Sequence, residues 1–118
     1  MRWDVDSAHV PHREWSRFVT AGGLKFHVQE TGPADAPVLL LIHGTGATTH
    51  SFAGLAPLLA NDFRLVIPDL PGHGFTQKLN APDPDAVAKA MAALVTELGV
   101  QPAIILGHSV GAAIAFMM

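Results

Sequence analysis

The chain contains no cysteine, which removes disulfides, thiolate metal sites and cysteine nucleophiles at once. Charge is sparse as well: 14% of the 118 residues are Asp, Glu, Lys or Arg, and the formal net charge is −3. With an isoelectric point near 6.1 and no run of basic residues, the chain lacks the electrostatic footprint of a nucleic-acid binder. It offers an anionic membrane surface nothing to hold. Long apolar runs are missing too. The longest, such as Val38 to Ile42, are strand-sized and fall far short of a bilayer span. The N-terminus, Met1-Arg2-Trp3-Asp4-Val5-Asp6, carries acids and no apolar segment, so it does not read as a secretory leader. The expected setting is the cytoplasm.

What the chain does have is apolar mass. Hydrophobic residues make up 49% of it, and the mean hydropathy of +0.32 argues for a packed core and against disorder. Residues 1–15 show no periodicity and are read as an N-terminal arm. From residue 16 to 118 the pattern is that of an α/β domain. Ser16 to Thr20 and Leu24 to Glu30 read as strands joined by a hairpin at Ala21-Gly22-Gly23. The unbroken run Val38-Leu39-Leu40-Leu41-Ile42 suits a parallel strand covered on both faces. A short helix is expected next, with Phe52, Leu55, Leu58 and Leu59 inward and Pro57 in its first turn. Phe63 to Ile67 is a second buried strand. Pro84 to Leu98 is the clearest helix, with Asp83 as cap, Gly99 just past its end, and Val87, Met91, Leu94, Val95 and Leu98 on one stripe. Ala103 to Leu106 is a third parallel strand, and a helix opens at Val110. A hairpin followed by alternating strands and helices predicts a mostly parallel sheet with flanking helices.

Candidate chemistry sits at the ends of the parallel strands. Gly107-His108-Ser109-Val110-Gly111 is a G-x-S-x-G sequence between a predicted strand and a predicted helix. That arrangement presents a serine nucleophile on a sharp turn. Glycine at 107 and 111 removes side chains where strand and helix meet, and the helix N-terminus favours developing negative charge. His43-Gly44-Thr45-Gly46 follows the first parallel strand. Its Thr45 N–H, together with the Val110 N–H, could form an oxyanion hole, with His43, Gly44, Gly46 and His108 as supporting residues. No complete phosphate-binding or dinucleotide pattern is present there. In Asp69-Leu70-Pro71-Gly72-His73-Gly74, Asp69 precedes the serine, the wrong order for a catalytic acid in this arrangement, so it is assigned a loop-bracing role. The seven histidines raise a metal reading, with His9 and His12 at i, i+3 spacing and His43, His73 and His108 near strand ends. No acidic partner recurs at ligand spacing; neither a metal nor a cofactor is assigned. Trp3 and Trp15 are read as packing anchors of the arm.

These three motifs, in this order and spacing, resemble the α/β-hydrolase superfamily. Further segments are similar to one of its branches: Trp3-Asp4, Pro11-His12-Arg13-Glu14, Ala21-Gly22-Gly23-Leu24, Thr49-His50-Ser51 and Pro71-Gly72-His73-Gly74-Phe75-Thr76. That branch is the hydrolase-like magnesium-chelatase accessory proteins of bacteriochlorophyll synthesis. The resemblance implies acyl transfer from an ester-like, porphyrin-related substrate, or a non-catalytic role beside magnesium-chelatase subunits. It also implies an Asp or Glu and a final His after the serine. The stretch from Val110 to Met118 holds neither. The expectation is therefore an incomplete hydrolase domain, cut just after the elbow and inactive or nearly so by itself.

Overall fold

A computed structural model describes residues 2–118. Its strands are β1 (Ser16–Ala21), β2 (Leu24–Thr31), β3 (Val38–Ile42), β4 (Arg64–Pro68) and β5 (Pro102–Gly107). They form one five-stranded sheet in the order β1-β2-β4-β3-β5. β1 and β2 are an antiparallel hairpin, and β2 runs antiparallel to β4. β3 lies parallel between β4 and β5. The hairpin turn falls on Gly22 and Gly23, whose φ values of 58° and 78° fit a two-residue turn with both central residues left-handed.

The apolar run of β3 is covered on both faces. Leu40 and Ile42 pack with Phe26, Val28 and Val66 beneath α3 (Pro84–Leu98) and α4 (Val110–Met117). Leu39 and Leu41 face the other way, with Leu65, Ile67, Phe52 and Ala56. Alternation of side chains along each strand accounts for this division. In α3 the Ala86 N–H donates to the Asp83 carboxylate at 2.9 Å, and Gly99 closes the helix at φ 68°. Ala88, Met91 and Leu94 are its buried face.

The segment after β3 departs from expectation. It forms a 3₁₀ turn, Thr49–Phe52, and a single helical turn, α2 (Ala56–Leu59). Phe52 is buried and Leu59 half-buried, but Leu55 and Leu58 are 38% and 75% exposed. With Pro57 in the first turn and the helix ending at Leu59, there is no continuous helix to bring positions 52, 55 and 58 onto one face.

The arm is not featureless. It comprises α1 (Trp3–Asp6) and 3₁₀ turns at Ser7–His9 and Arg13–Trp15, and it docks through aromatic contacts. The Trp3 ring meets Phe18 and Phe75 edge-on, with centroids 5.3 and 5.0 Å apart. Trp15 stacks on His12 and packs against the second core cluster. β5 is an edge strand that leaves Ile104 49% exposed. Among the described residues no helix is long and apolar enough to cross a membrane.

Candidate active site

Three loops leave the carboxyl ends of β3, β4 and β5, where open α/β sheets place their ligands. The loop after β5 is a single sharp turn. Ser109 adopts φ 57°, ψ −123°, a left-handed conformation that costs a non-glycine residue on the order of 1–3 kcal/mol. The turn is held on both sides: the His108 N–H donates to the Ile42 carbonyl at 3.0 Å, and the Gly111 N–H to the His108 carbonyl at 3.0 Å. The flanking glycines are sterically required. A β-carbon at Gly107 would stand 2.5 Å from the Ala112 backbone, and one at Gly111 would overlap the carbonyl oxygens of Ile42 and His43. Ser109 itself is exposed. Among the described residues no histidine is hydrogen-bonded to its hydroxyl.

The loop after β3 lies against this turn. A β-carbon at Gly44 would be 3.1 Å from the Ser109 β-carbon and 3.2 Å from the His108 carbonyl oxygen, so the two loops touch. Thr45 and Val110 line one cavity of about 220 Å³. The Val110 N–H opens α4 and has no partner within that helix, and among the described residues the Thr45 N–H is likewise free. The structure thus brings Ser109, Gly44, Thr45 and Val110 together. Gly46, at φ 78°, shapes the loop from a distance.

His43 belongs to the scaffold. It is fully buried, and its Nε2 accepts the Leu70 N–H at 2.9 Å. A backbone N–H can only donate, so the ring proton sits on Nδ1, which donates to the Gly44 carbonyl at 2.7 Å. Burial holds this imidazole below its ordinary value of 6.5, and neighbouring His73 lowers it further. The bond to Gly44 and the charge of Asp69 only partly oppose them. A neutral, doubly bonded ring pins the β3 loop to the β4 loop and has no nitrogen left for proton transfer.

Asp69 braces loops. It is 1% exposed; its Oδ1 accepts the Thr49 N–H at 2.8 Å and its Oδ2 the Phe75 N–H at 3.0 Å. Gly74 must be glycine, because at φ 50° its β-carbon would collide with that carboxylate. Oδ2 also accepts from His27 Nδ1 at 2.7 Å, and His27 Nε2 lies 2.8 Å from Ser16 Oγ. Sequence reasoning missed His27 and Ser16. The available signal was a histidine between Phe26 and Val28, alternating with Gln29 inside a strand buried on both faces. His12 bonds the Ala53 carbonyl at 3.0 Å from within the arm, while His9 lines a small pocket with Thr49, Asp69 and Phe75 of the β3 and β4 loops. His73 sits 5.2 Å from the His43 ring, and its Nδ1 bonds Pro71.

Known proteins resemble this chain in sequence and fold. Residues 37–118 match the alpha/beta hydrolase fold family. The magnesium-chelatase 30 kDa subunit of Rhodobacter capsulatus is 41% identical over 113 residues, which cover 94% of this chain and 40% of that protein. A bifunctional esterase/perhydrolase of Acinetobacter calcoaceticus is 38% identical, over 78% of this chain and 34% of that protein. Among solved structures, Cfl2 from Burkholderia cenocepacia superposes with a TM-score of 0.82 at 33% identity, covering 86% of this chain and 35% of its own. The chain spans about two fifths or less of the length of these relatives. The family match, the relatives' identity and the superposition agree: this chain belongs to the α/β-hydrolase fold family.

Proposed function

We propose that this chain supplies the nucleophile and the oxyanion donors of a serine hydrolase acting on ester-like substrates. The observation that carries the reading is the exposed serine held at φ 57° beside two free backbone N–H groups. In the step envisaged, Ser109 Oγ bonds to the substrate carbonyl carbon while the Thr45 and Val110 N–H groups hold the oxyanion. The hydroxyl proton passes to a base and from it to the departing alkoxide; water then releases the acyl group. Neither Asp, Glu nor His lies between Val110 and Met118, and the reading assigns the base and its orienting acid to no residue of this stretch. An oxyanion hole and a binding site without a complete triad still leave roughly 10³–10⁴-fold acceleration in well-studied serine hydrolases. The esterase relative supports ester chemistry.

A second reading is favoured by the 41% identity to a magnesium-chelatase subunit: a non-catalytic protein that acts with chelatase subunits in bacteriochlorophyll synthesis. A fluorophosphonate probe separates the two. The hydrolase reading predicts a covalent adduct that Ser109→Ala abolishes. Equal labelling of the variant, or none of either, favours the accessory role.

A further inference from the structure

The cavity shared by Thr45 and Val110 continues away from Ser109 between the β4 loop and two helices. Its walls are Leu70, Pro71, His73 and Pro82 from loops, Pro84 and Val87 at the start of α3, and Ile114 of α4. Among the described residues no Asp, Glu, Lys or Arg lines it. A carboxylate or ammonium placed there would lose hydration and meet only the His73 ring, whose Nδ1 is already taken by the Pro71 carbonyl, a large penalty. The lining therefore selects an uncharged group.

Its size is fixed by stiff parts. Proline locks φ, and Pro84 is further held in the capped first turn of α3. The β4 loop is tied to the β3 loop by the Leu70–His43 bond and turns at Gly72 and Gly74, both left-handed. An apolar cavity of roughly 150 Å³ accepts benzene. The 220 Å³ here takes a phenyl ring or a branched chain of similar bulk, and a tetrapyrrole macrocycle does not fit. With the carbonyl oxygen on the two N–H groups at the mouth, the acyl group stays on Ser109 through both steps, while the alcohol must depart. The recess suits the group that stays.

Resting on the hydrolase reading above, we infer that this cavity is the acyl subsite, and that it takes a compact, uncharged acyl group no larger than about a benzoyl. Val87 and Ile114 set the limit. A porphyrin-related ester would then reach Ser109 only with the macrocycle outside this cavity.

Fluorine NMR of the 118-residue chain tests the subsite without needing turnover. Fluorobenzene is expected to bind saturably, and 4-fluorobiphenyl at least tenfold more weakly. Val87→Phe should weaken fluorobenzene at least tenfold, and Gly54→Ala, in open space outside the cavity lining, should leave it unchanged. Absence of saturable fluorobenzene binding, or equal binding of the biphenyl, overturns the proposal, and both are read on the unmodified chain should Val87→Phe fail to fold. Reactive Ser109 with no fluorobenzene binding refutes the subsite and spares the hydrolase reading. Size-selective binding beside an unreactive Ser109 upholds the selective cavity and refutes its assignment to an acyl group.

Discussion

The Nε2 atom of His43 accepts the backbone N–H of Leu70 at 2.9 Å, and this bond joins the loop that carries Thr45 to the loop that walls the cavity. It requires an unprotonated Nε2. Burial depresses the proton affinity of this ring, so near its ordinary value of 6.5 the unfolded chain binds more protons than the native one. Stability then rises with pH across that window. The contribution is present above 6.5 and is lost as pH falls below it towards the depressed native value. Urea unfolding at pH 7.5 and 5.5 should give a larger drop for the natural chain than for His43→Gln. At pH 7.5, His43→Ala should cost about 1–3 kcal/mol through the orphaned Leu70 N–H, plus the cavity left by the ring. An equal pH response in the natural chain and His43→Gln would refute the assignment.

Ser109 is strained, and relief of strain should be measurable. Ser109→Gly removes a left-handed penalty of about 1–3 kcal/mol and adds the entropy cost of glycine, about 0.5–1 kcal/mol. The net expectation is a chain more stable by about 1 kcal/mol, with Ser109→Ala close to unchanged. Calorimetric or denaturant stabilities of the two variants decide it. A less stable glycine variant would mean that the turn carries no strain.

Gly111 lies where α4 crosses the end of β3. Gly111→Ala forces helix and strand apart and should destabilise by at least about 1–3 kcal/mol. Gly54→Ala is the control, since that position has open space and no left-handed φ. Comparable melting temperatures for the two variants would contradict the close packing described.

Asp69 accepts from Thr49, Phe75 and His27, so its role is structural. Asp69→Ala orphans two buried donors and a part-buried one, at roughly 1–3 kcal/mol for each buried donor, enough to unfold a marginal chain. Asp69→Asn keeps an acceptor and should leave a destabilised but folded protein whose Ser109 reactivity is unaltered. Loss of that reactivity in a folded Asp69→Asn would point to a catalytic acid instead.

The layered fold was legible wherever local chemistry had one solution. Two consecutive glycines specify the hairpin, and an unbroken apolar β3 needs covers on both faces. Asp83, Pro84 and Gly99 bracket α3, whose observed limits coincide with those read from the residues. The segment from Phe52 to Leu59 was misread because apolar spacing alone does not reveal that the helix lasts a single turn. The serine turn was readable from its glycines. The loop contacts made by His43 and Asp69 were not, because they join residues distant in the chain. The Ser16–His27–Asp69 bonds escaped for the same reason: β1, β2 and the β4 loop meet only after the sheet forms.

The central claim is that Ser109 is a primed nucleophile. The most direct measurement is peptide mapping of the 118-residue chain after fluorophosphonate treatment, with increasing free imidazole standing in for the base. The oxygen–phosphorus bond forms, fluoride leaves and imidazole takes the proton. Ser51, which is also exposed, serves as the internal reference. The account predicts an adduct on Ser109 at least tenfold above Ser51 and rising with imidazole. Equal modification of the two serines would contradict it.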